Sequence, residues 1–285
     1  MKIIYCADLH LRADTPECRT DDFTSTMLSK FQFLLEYAKK ISAQIYIAGD
    51  VGHRPQWPNW LLAEVIGRIK ESEVEIFAIP GQHDLPGHEL GNWQKSALGV
   101  LHSSKALQMI PVPLEQVHQV KWFDTVVGFT HQLVIENKKE WPDQKATTAK
   151  RLLRSNSCDV LISGDNHKPF TVEYKNKSLI NVGSMMRTTA AQVDYVPHFV
   201  VHDLETGIID YIAYPIEKGV VSREHLEVAE NAEKRLLTFV ERLKDTWEAG
   251  MSFEQNMSSY IAANRKTITG DVETEIWEAL EKGIK

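Results

Sequence analysis

Five times in the first 167 residues, a short apolar run stops at side chains that bind metals or carry protons. The places are Asp8-Leu9-His10, Gly49-Asp50, Gly81-Gln82-His83-Asp84, His131 and Gly164-Asp165-Asn166-His167. The runs before them are rich in β-branched residues, which predicts strands over Lys2–Ala7, Gln44–Ala48, Val74–Ile79, Thr125–Thr130 and Asp159–Ser163, with another at Val117–Trp122. Amphipathic stretches at Phe23–Ile41, Trp60–Glu71 and Lys145–Leu153 predict helices; in the first, Met27, Phe31, Leu34, Leu35 and Ala38 recur at helical spacing. Strands alternating with helices predict a layered α/β domain. In such a domain the carboxyl ends of neighbouring strands share one edge, so the five places converge in space. Two local readings support this. Asp8 and His10, at i and i+2, fall on one face of a pleat, and glycines before Asp50, Gln82 and Asp165 let the chain turn sharply there.

Taken singly, each place is weak. Gly-Asp after a strand is ordinary turn chemistry, and an isolated histidine such as His131 is more often a packing residue. The ordered set is what carries the inference. His88, His102, His118, His198, His202 and His225 have no comparable neighbours and are read as surface or packing residues. His53 is intermediate, lying three positions beyond Asp50 and followed by Arg54-Pro55.

After Lys168 the pattern changes to closely spaced strands at Phe170–Tyr174, Ser178–Asn181, His198–Asp203 and Ile208–Tyr214, with hairpin turns expected at Asn176-Lys177 and Glu205-Thr206-Gly207. Beyond Pro215 the chain becomes helical and more charged. Leu226, Ala229, Ala232, Leu236, Leu237, Val240 and Leu243 form a stripe, and further helices are expected near Phe253–Asn264 and Asp271–Lys282. The expected division is a catalytic domain over 1–215 and a small helical extension over 216–285.

No apolar run approaches the roughly 18–20 residues that cross a bilayer, and the N-terminal apolar stretch runs straight into Asp8, unlike a signal peptide. The three cysteines, Cys6, Cys18 and Cys158, lack metal-type spacing and are expected to be free thiols in a reducing, cytoplasmic setting. The net charge of −7 argues against broad electrostatic contact with nucleic acid.

The five blocks, in order, resemble the signatures of calcineurin-like metallophosphoesterases: Asp-x-His, Gly-Asp, Gly-Asn-His-Asp, a lone His, and Gly-His-x-His. Within that superfamily, Asp8-Leu9-His10-Leu11, Gly49-Asp50-Val51-Gly52-His53-Arg54-Pro55 and Asn181-Val182-Gly183-Ser184-Met185-Met186-Arg187 resemble segments of SbcD-type DNA repair nucleases, including phage-encoded ones such as the small subunit of the T-even recombination endonuclease. The resemblance implies an α-β-β-α sandwich holding two divalent cations, Mn²⁺ before Mg²⁺, which activate a hydroxide for attack on phosphorus. One cation would be held by Asp8, His10, Asp50 and His167, the other by Asp50, Gln82, His131 and Asp165. His83, backed by Asp84, would assist the leaving oxygen; His53 would contact the phosphate or simply line the site. Arg187 is read as a phosphate clamp or, more simply, a surface arginine. Two positions depart from the pattern: Gln82 stands where the family has Asn, and Asp165 where it has His. Both make the second site richer in oxygen, which favours hard cations over Zn²⁺.

The function implied is a DNA exo- or endonuclease subunit paired with an SMC-type ATPase of the SbcC kind, with the C-terminal helices docking on that partner and a homodimer as a further expectation. The acidic charge keeps open a stand-alone phosphodiesterase or phosphatase acting on small phosphoesters. A third reading is a scaffold that has lost activity through its altered second site.

Overall fold

Strand β1 (Lys2–Cys6) buries both of its faces, and the two faces meet different layers. Ile4 and Cys6 join a core with helices, while Ile3 and Tyr5 join a core facing a second sheet. Strand β2 (Gln44–Ala48) repeats the pattern, sending Ile45 and Ile47 one way and Tyr46 and Ala48 the other. Alternation with both sides covered is why these runs are apolar throughout. The structure, a computed structural model, describes residues 1–137, 145–224, 234, 251–266 and 268–283. It contains two compact units, Met1–Ser222 and Arg223–Lys285.

In the first unit, β1 and β2 continue into β3 (Ile76–Ile79) and β4 (Gln108–Met109) as parallel neighbours. On the other side of β1 lie β12 (His198–Asp203) and β13 (Ile208–Ala213), both antiparallel, giving the order β13-β12-β1-β2-β3-β4. The second sheet runs β10-β11-β9-β6-β5, built from β5 (His118–Trp122), β6 (Thr125–His131), β9 (Val160–Gly164), β10 (Phe170–Tyr174) and β11 (Lys177–Asn181). Its inward residues Val127, Phe129, Ile162 and Ile180 meet Ile3, Tyr5 and Tyr46 across the sandwich. Each fully buried side chain of this size contributes roughly 1.5–3 kcal/mol. Helices α1 (Phe23–Lys40), α2 (Asn59–Ser72) and α3 (Ala97–Ser103) cover the outer face of the first sheet. Helix α4 (Ala149–Ser155) covers the second, packing Ala149, Leu152 and Leu153 on Leu161, Val172 and Leu179. The layers are therefore α-β-β-α, as the resemblance implied.

Helix α1 starts where Asp22 accepts a hydrogen bond from the Ser25 N–H (3.0 Å) and ends with Lys39 and Lys40 in its last turn, both favourable to its dipole. Four local expectations change. The helix expected over Lys145–Leu153 begins only at Ala149, because Thr147–Thr148 (β8) pair with Val134–Ile135 (β7), where two β-branched residues suit a strand. The strand expected from Val74 begins at Ile76, since Glu73 terminates α2 in a left-handed conformation (φ 59°). The hairpin expected at Asn176-Lys177 turns at Lys175-Asn176 instead, with Lys175 left-handed and Lys177 already paired to Tyr174. Helix α3 and the three 3₁₀ turns over Gln82–Asp84, Pro86–His88 and Leu90–Lys95 were not foreseen.

In the second unit, α5 (Phe253–Ala263) opens with a capping box. Ser252 Oγ accepts from the Gln255 N–H (3.2 Å), and Gln255 Oε1 accepts from the Ser252 N–H (2.9 Å). Met257, Tyr260 and Ile261 of this helix pack with Ile276 and Trp277 of α6 (Gly270–Gly283). The stripe from Leu226 to Leu243 lies outside the described residues. Among the described residues no helix is long and apolar enough to cross a membrane. All three cysteines are free and buried.

Candidate metal centre

The five chemistry-bearing places meet at one edge of the sandwich, at or just beyond the ends of β1, β2, β3, β6 and β9. Their convergence has a backbone origin that differs from the pleat argument. Strand β1 stops at Cys6, and Asp8 and His10 both take left-handed conformations, with φ of 50° and 45°. Asp50 (φ 51°) and Asp165 (φ 79°) do the same. Such conformations cost on the order of 1 kcal/mol each for side chains other than glycine, and they cluster where function over-determines the backbone. The surroundings hold them in place. The Asp8 N–H donates to Gly49 O (3.1 Å), the His10 N–H to Asp50 O (3.0 Å), and the Asp165 N–H to Asp8 Oδ1 (3.1 Å).

The three glycines serve two different ends. Gly49 has φ 89°, the sharp turn expected of it, and a Cβ there would meet His131 Nδ1 at 2.2 Å. Gly81 is extended, and it is needed for room: a Cβ would meet Asp50 Oδ1 at 2.1 Å. Gly164 belongs to β9, and its Cβ would strike Ala48 O at 2.4 Å.

Asp8, His10 and His167 each offer a ligand atom within 4.8 Å of the others, and so do Asp8, Asp50 and His131. Asp50 Oδ2 lies 3.3 Å from His131 Nε2 and 3.7 Å from His10 Nε2, and His10 Nε2 lies 2.9 Å from His167 Nε2. Asp50 is 1% exposed and Asp8 fully buried. Asp50 Oδ2, His131 Nε2 and His10 Nδ1 are buried without a hydrogen-bond partner. Buried polar atoms left without a partner are costly unless a ligand joins them. The donor set of carboxylates and imidazoles fits divalent cations such as Mn²⁺. The His131 Nδ1–H donates to Ala48 O (2.7 Å), which turns Nε2 towards Asp50 in the manner of a metal-ligating histidine.

Gln82 and Asp165 come together as well, but through each other: Gln82 Nε2 donates to Asp165 Oδ1 at 2.5 Å. The contact fixes the amide with its nitrogen on Asp165, so the Gln82 carbonyl oxygen is the atom left for a cation.

His83 sits beside these groups, its ring centroid 5.0 Å from that of His10 and its main-chain N–H on Asp50 Oδ1 (2.9 Å). Asp84 does not back it, contrary to the expectation from sequence. The Asp84 carboxylate is buried and accepts the N–H groups of Val51 (3.2 Å), Gly52 (2.9 Å) and Gly81 (3.0 Å), tying two ligand loops together. The His83 Nδ1–H donates instead to the main-chain carbonyl of His53 (2.9 Å). The His53 ring stacks on that of His83, with centroids 5.5 Å apart and planes 17° from parallel.

Two positioning groups were not among the site residues read from sequence. The Ala48 carbonyl left no side-chain signal. Asn181 did, as the head of the Asn-Val-Gly-Ser segment, and its Nδ2 donates to Asn166 O (2.6 Å) and Lys168 O (3.0 Å), bracketing the loop that carries His167. Arg187 is neither a phosphate clamp nor a surface arginine. It is 4% exposed and donates to the carbonyls of Val193 (3.0 Å) and Glu217 (2.6 Å).

Protonation follows from this packing. Burial pulls His131 down, but the charges of Asp50 and Asp8 and the Nδ1–H bond to Ala48 O outweigh it and hold the imidazole protonated up to about 10. Burial pushes the Asp8 carboxyl up to about 8 against the pull of His131. Burial also pulls His10 down to about 3, leaving it neutral. Cation binding at pH 7 must therefore displace protons from His131 and Asp8. Affinity should rise with pH to about 8 and more slowly towards about 10. Calorimetry with Mn²⁺ in buffers of different ionisation enthalpy should read about one to two protons released at pH 7; no release would contradict this protonation state.

Residues 1–207 match the family described as the calcineurin-like phosphoesterase superfamily domain. Solved structures that match the chain include a novel archaeal phosphodiesterase, at 16% identity over 75% of this chain and 99% of that one, with a TM-score of 0.46. Vacuolar protein sorting 29 from Cryptosporidium parvum matches at 17% identity over 76% of this chain and 98% of that one, with a TM-score of 0.40. The corresponding Entamoeba histolytica protein, complexed with zinc, matches at 14% identity over 75% and 100%, also at 0.40.

Proposed function

The chain belongs to the calcineurin-like phosphoesterase superfamily, and on that footing we propose that it is an Mn²⁺-dependent phosphodiesterase acting on DNA. One observation carries the catalytic part of this reading: Asp50 Oδ2 and His131 Nε2 are buried 3.3 Å apart with no hydrogen-bond partner, at the meeting point of five strand ends. Asp8, His10, Asp50 and His167 would hold one cation; Asp50, His131 and the Gln82 carbonyl, with Asp165, would hold the other. Two cations bound there would neutralise phosphate charge and make a bound water more acidic.

The chain's own residues do the rest. His83, with Nδ1–H fixed on the His53 carbonyl, presents Nε2 to the site and can deliver a proton to a departing oxygen when protonated there. Asp84 keeps the Asp50 and Gly81 loops in register. Asn181 keeps His167 in reach by bracketing its loop.

DNA as substrate rests on the likeness of the Gly49–Pro55 and Asn181–Arg187 segments to SbcD-type nucleases. In that setting the partner is an SMC-type ATPase, which supplies basic surface for the duplex and receives the C-terminal helices, and the compartment is the cytoplasm. A homodimer belongs to the same reading. The net charge of −7 favours a second reading, a stand-alone enzyme for small phosphoesters. Linear duplex, single-stranded DNA and bis-(p-nitrophenyl) phosphate, each incubated with Mn²⁺ with and without the ATPase, separate the two. Cleavage of DNA is the expected result. Hydrolysis of the small ester alone would establish the second reading, and inertness on all three would remove both.

A further inference from the structure

A third grouping at this edge contains no carboxylate. His10, His53 and His83 each place one ring nitrogen within 4.8 Å of the other two. Their ring centroids are 5.0 to 5.6 Å apart: His10–His83 5.0 Å, His53–His83 5.5 Å and His10–His53 5.6 Å. We propose that these three imidazoles form a separate site for Zn²⁺, and that its occupancy blocks the Mn²⁺-loaded enzyme by withdrawing His10 and His83. The inhibitory half of this proposal rests on the reading of the centre as a metal-dependent phosphodiesterase; the binding half does not.

Donor type and geometry set this grouping apart from the other two. The other two groupings mix carboxylate with imidazole, Asp8 with His10 and His167, and Asp8 with Asp50 and His131. Each carboxylate makes a set more favourable to hard cations, whereas three imidazoles with an open fourth position suit Zn²⁺. His83 is already oriented for this role, because its Nδ1–H is committed to the His53 carbonyl and Nε2 remains as the ligand atom. The near-parallel stacking of the His53 and His83 rings keeps the pair side by side. His10 is 5% exposed and its Nδ1 has no partner, while His53 and His83 are part-exposed, so a cation arriving from solvent meets them first. His10 belongs to two groupings at once. A cation held by His10, His53 and His83 therefore competes for the residue shared with Asp8 and His167, and it takes the Nε2 lone pair His83 needs to carry a proton.

The test uses the full metal-free chain and Zn²⁺ alone, with bound metal counted after equilibrium dialysis and Co²⁺ as a spectroscopic substitute. His53→Ala should weaken Zn²⁺ binding and lose the four-coordinate Co²⁺ absorption of this site, because His10 is then left to the grouping with Asp8 and His167. It keeps the main-chain carbonyl that orients His83, so the loss reports the ligand itself. His53→Cys, which supplies a soft thiolate, should keep a four-coordinate absorption. Equal Zn²⁺ affinity and equal Co²⁺ spectra in the wild type and His53→Ala overturn the site. In a second arm, Zn²⁺ is titrated into each Mn²⁺-loaded protein and the rate is compared with that protein's own uninhibited rate. Inhibition of the wild type and of His53→Cys, much weakened in His53→Ala, supports the block; identical inhibition of all three overturns it. Loss of this Co²⁺ absorption from His53→Ala, in a chain that hydrolyses no phosphoester, would leave the site standing and remove only the enzymatic reading.

Discussion

Asp50→Asn should lower Mn²⁺-dependent phosphodiester hydrolysis by at least about a thousandfold, equivalent to about 4 kcal/mol of barrier. The substitution preserves volume beside Gly81, where the nearest room is already taken up by Asp50 Oδ1. It also leaves an oxygen for the His83 N–H that Oδ1 now accepts. What it removes is the charge on Oδ2, which lies between His131 at 3.3 Å and His10 at 3.7 Å and has no hydrogen-bond partner. An amide nitrogen placed there would present hydrogens to the cations. Burial opposes ionisation of Asp50, yet the charge of His131 beside it holds the carboxyl down at about 2, so the wild-type group is anionic throughout the working range. Metal counted on the purified variant should fall in parallel with the rate. A variant that kept its full metal complement and more than a tenth of its activity would remove Asp50 from the bridging role.

His83→Ala should leave Mn²⁺ binding intact and cut turnover on DNA by about a hundred- to ten-thousandfold, the range for loss of a positioned proton donor. The effect depends on the leaving group. A nucleoside alkoxide needs a proton as it departs; p-nitrophenolate scarcely does, so the loss on bis-(p-nitrophenyl) phosphate should be far smaller. Equal losses on both substrates would show that His83 serves the site in some other way, such as contact with non-bridging oxygens. Asp84→Asn gives the complementary comparison. Its carboxylate touches main-chain N–H groups and not the His83 ring, so its effect should be the same for either leaving group.

Much of this arrangement was legible in the residues because it is written in types and order. Runs such as Ile3–Cys6 and Ile45–Ala48 are apolar on both faces, as a strand covered on both sides requires. The five metal-capable places declared themselves by position, each following such a run. What the sequence hid falls into two kinds. Elements of two residues, such as Gln108–Met109 and Thr147–Thr148, are too short to show a period. Contacts through the main chain leave no mark in residue identity, and these include the Ala48 carbonyl on His131 and the His53 carbonyl on His83. The role of Asp84 is hidden for the same reason: adjacency to His83 suggests a side-chain partner, while its actual partners are three N–H groups from two loops. Gly81 and Gly164 stand out in the sequence as turn glycines, but each is needed for space and not for rotation.

The left-handed backbone at Asp8, His10, Asp50 and Asp165 has a consequence for how this chain can change over time. At these four positions glycine, and to a lesser degree asparagine, would relax the main chain while removing a side chain proposed as a ligand. Selection for hydrolysis and selection for thermal robustness therefore point in opposite directions at the same codons. A lineage that stopped needing the reaction would be expected to shed these side chains early and to grow sturdier as it did so, keeping the sandwich and losing its edge.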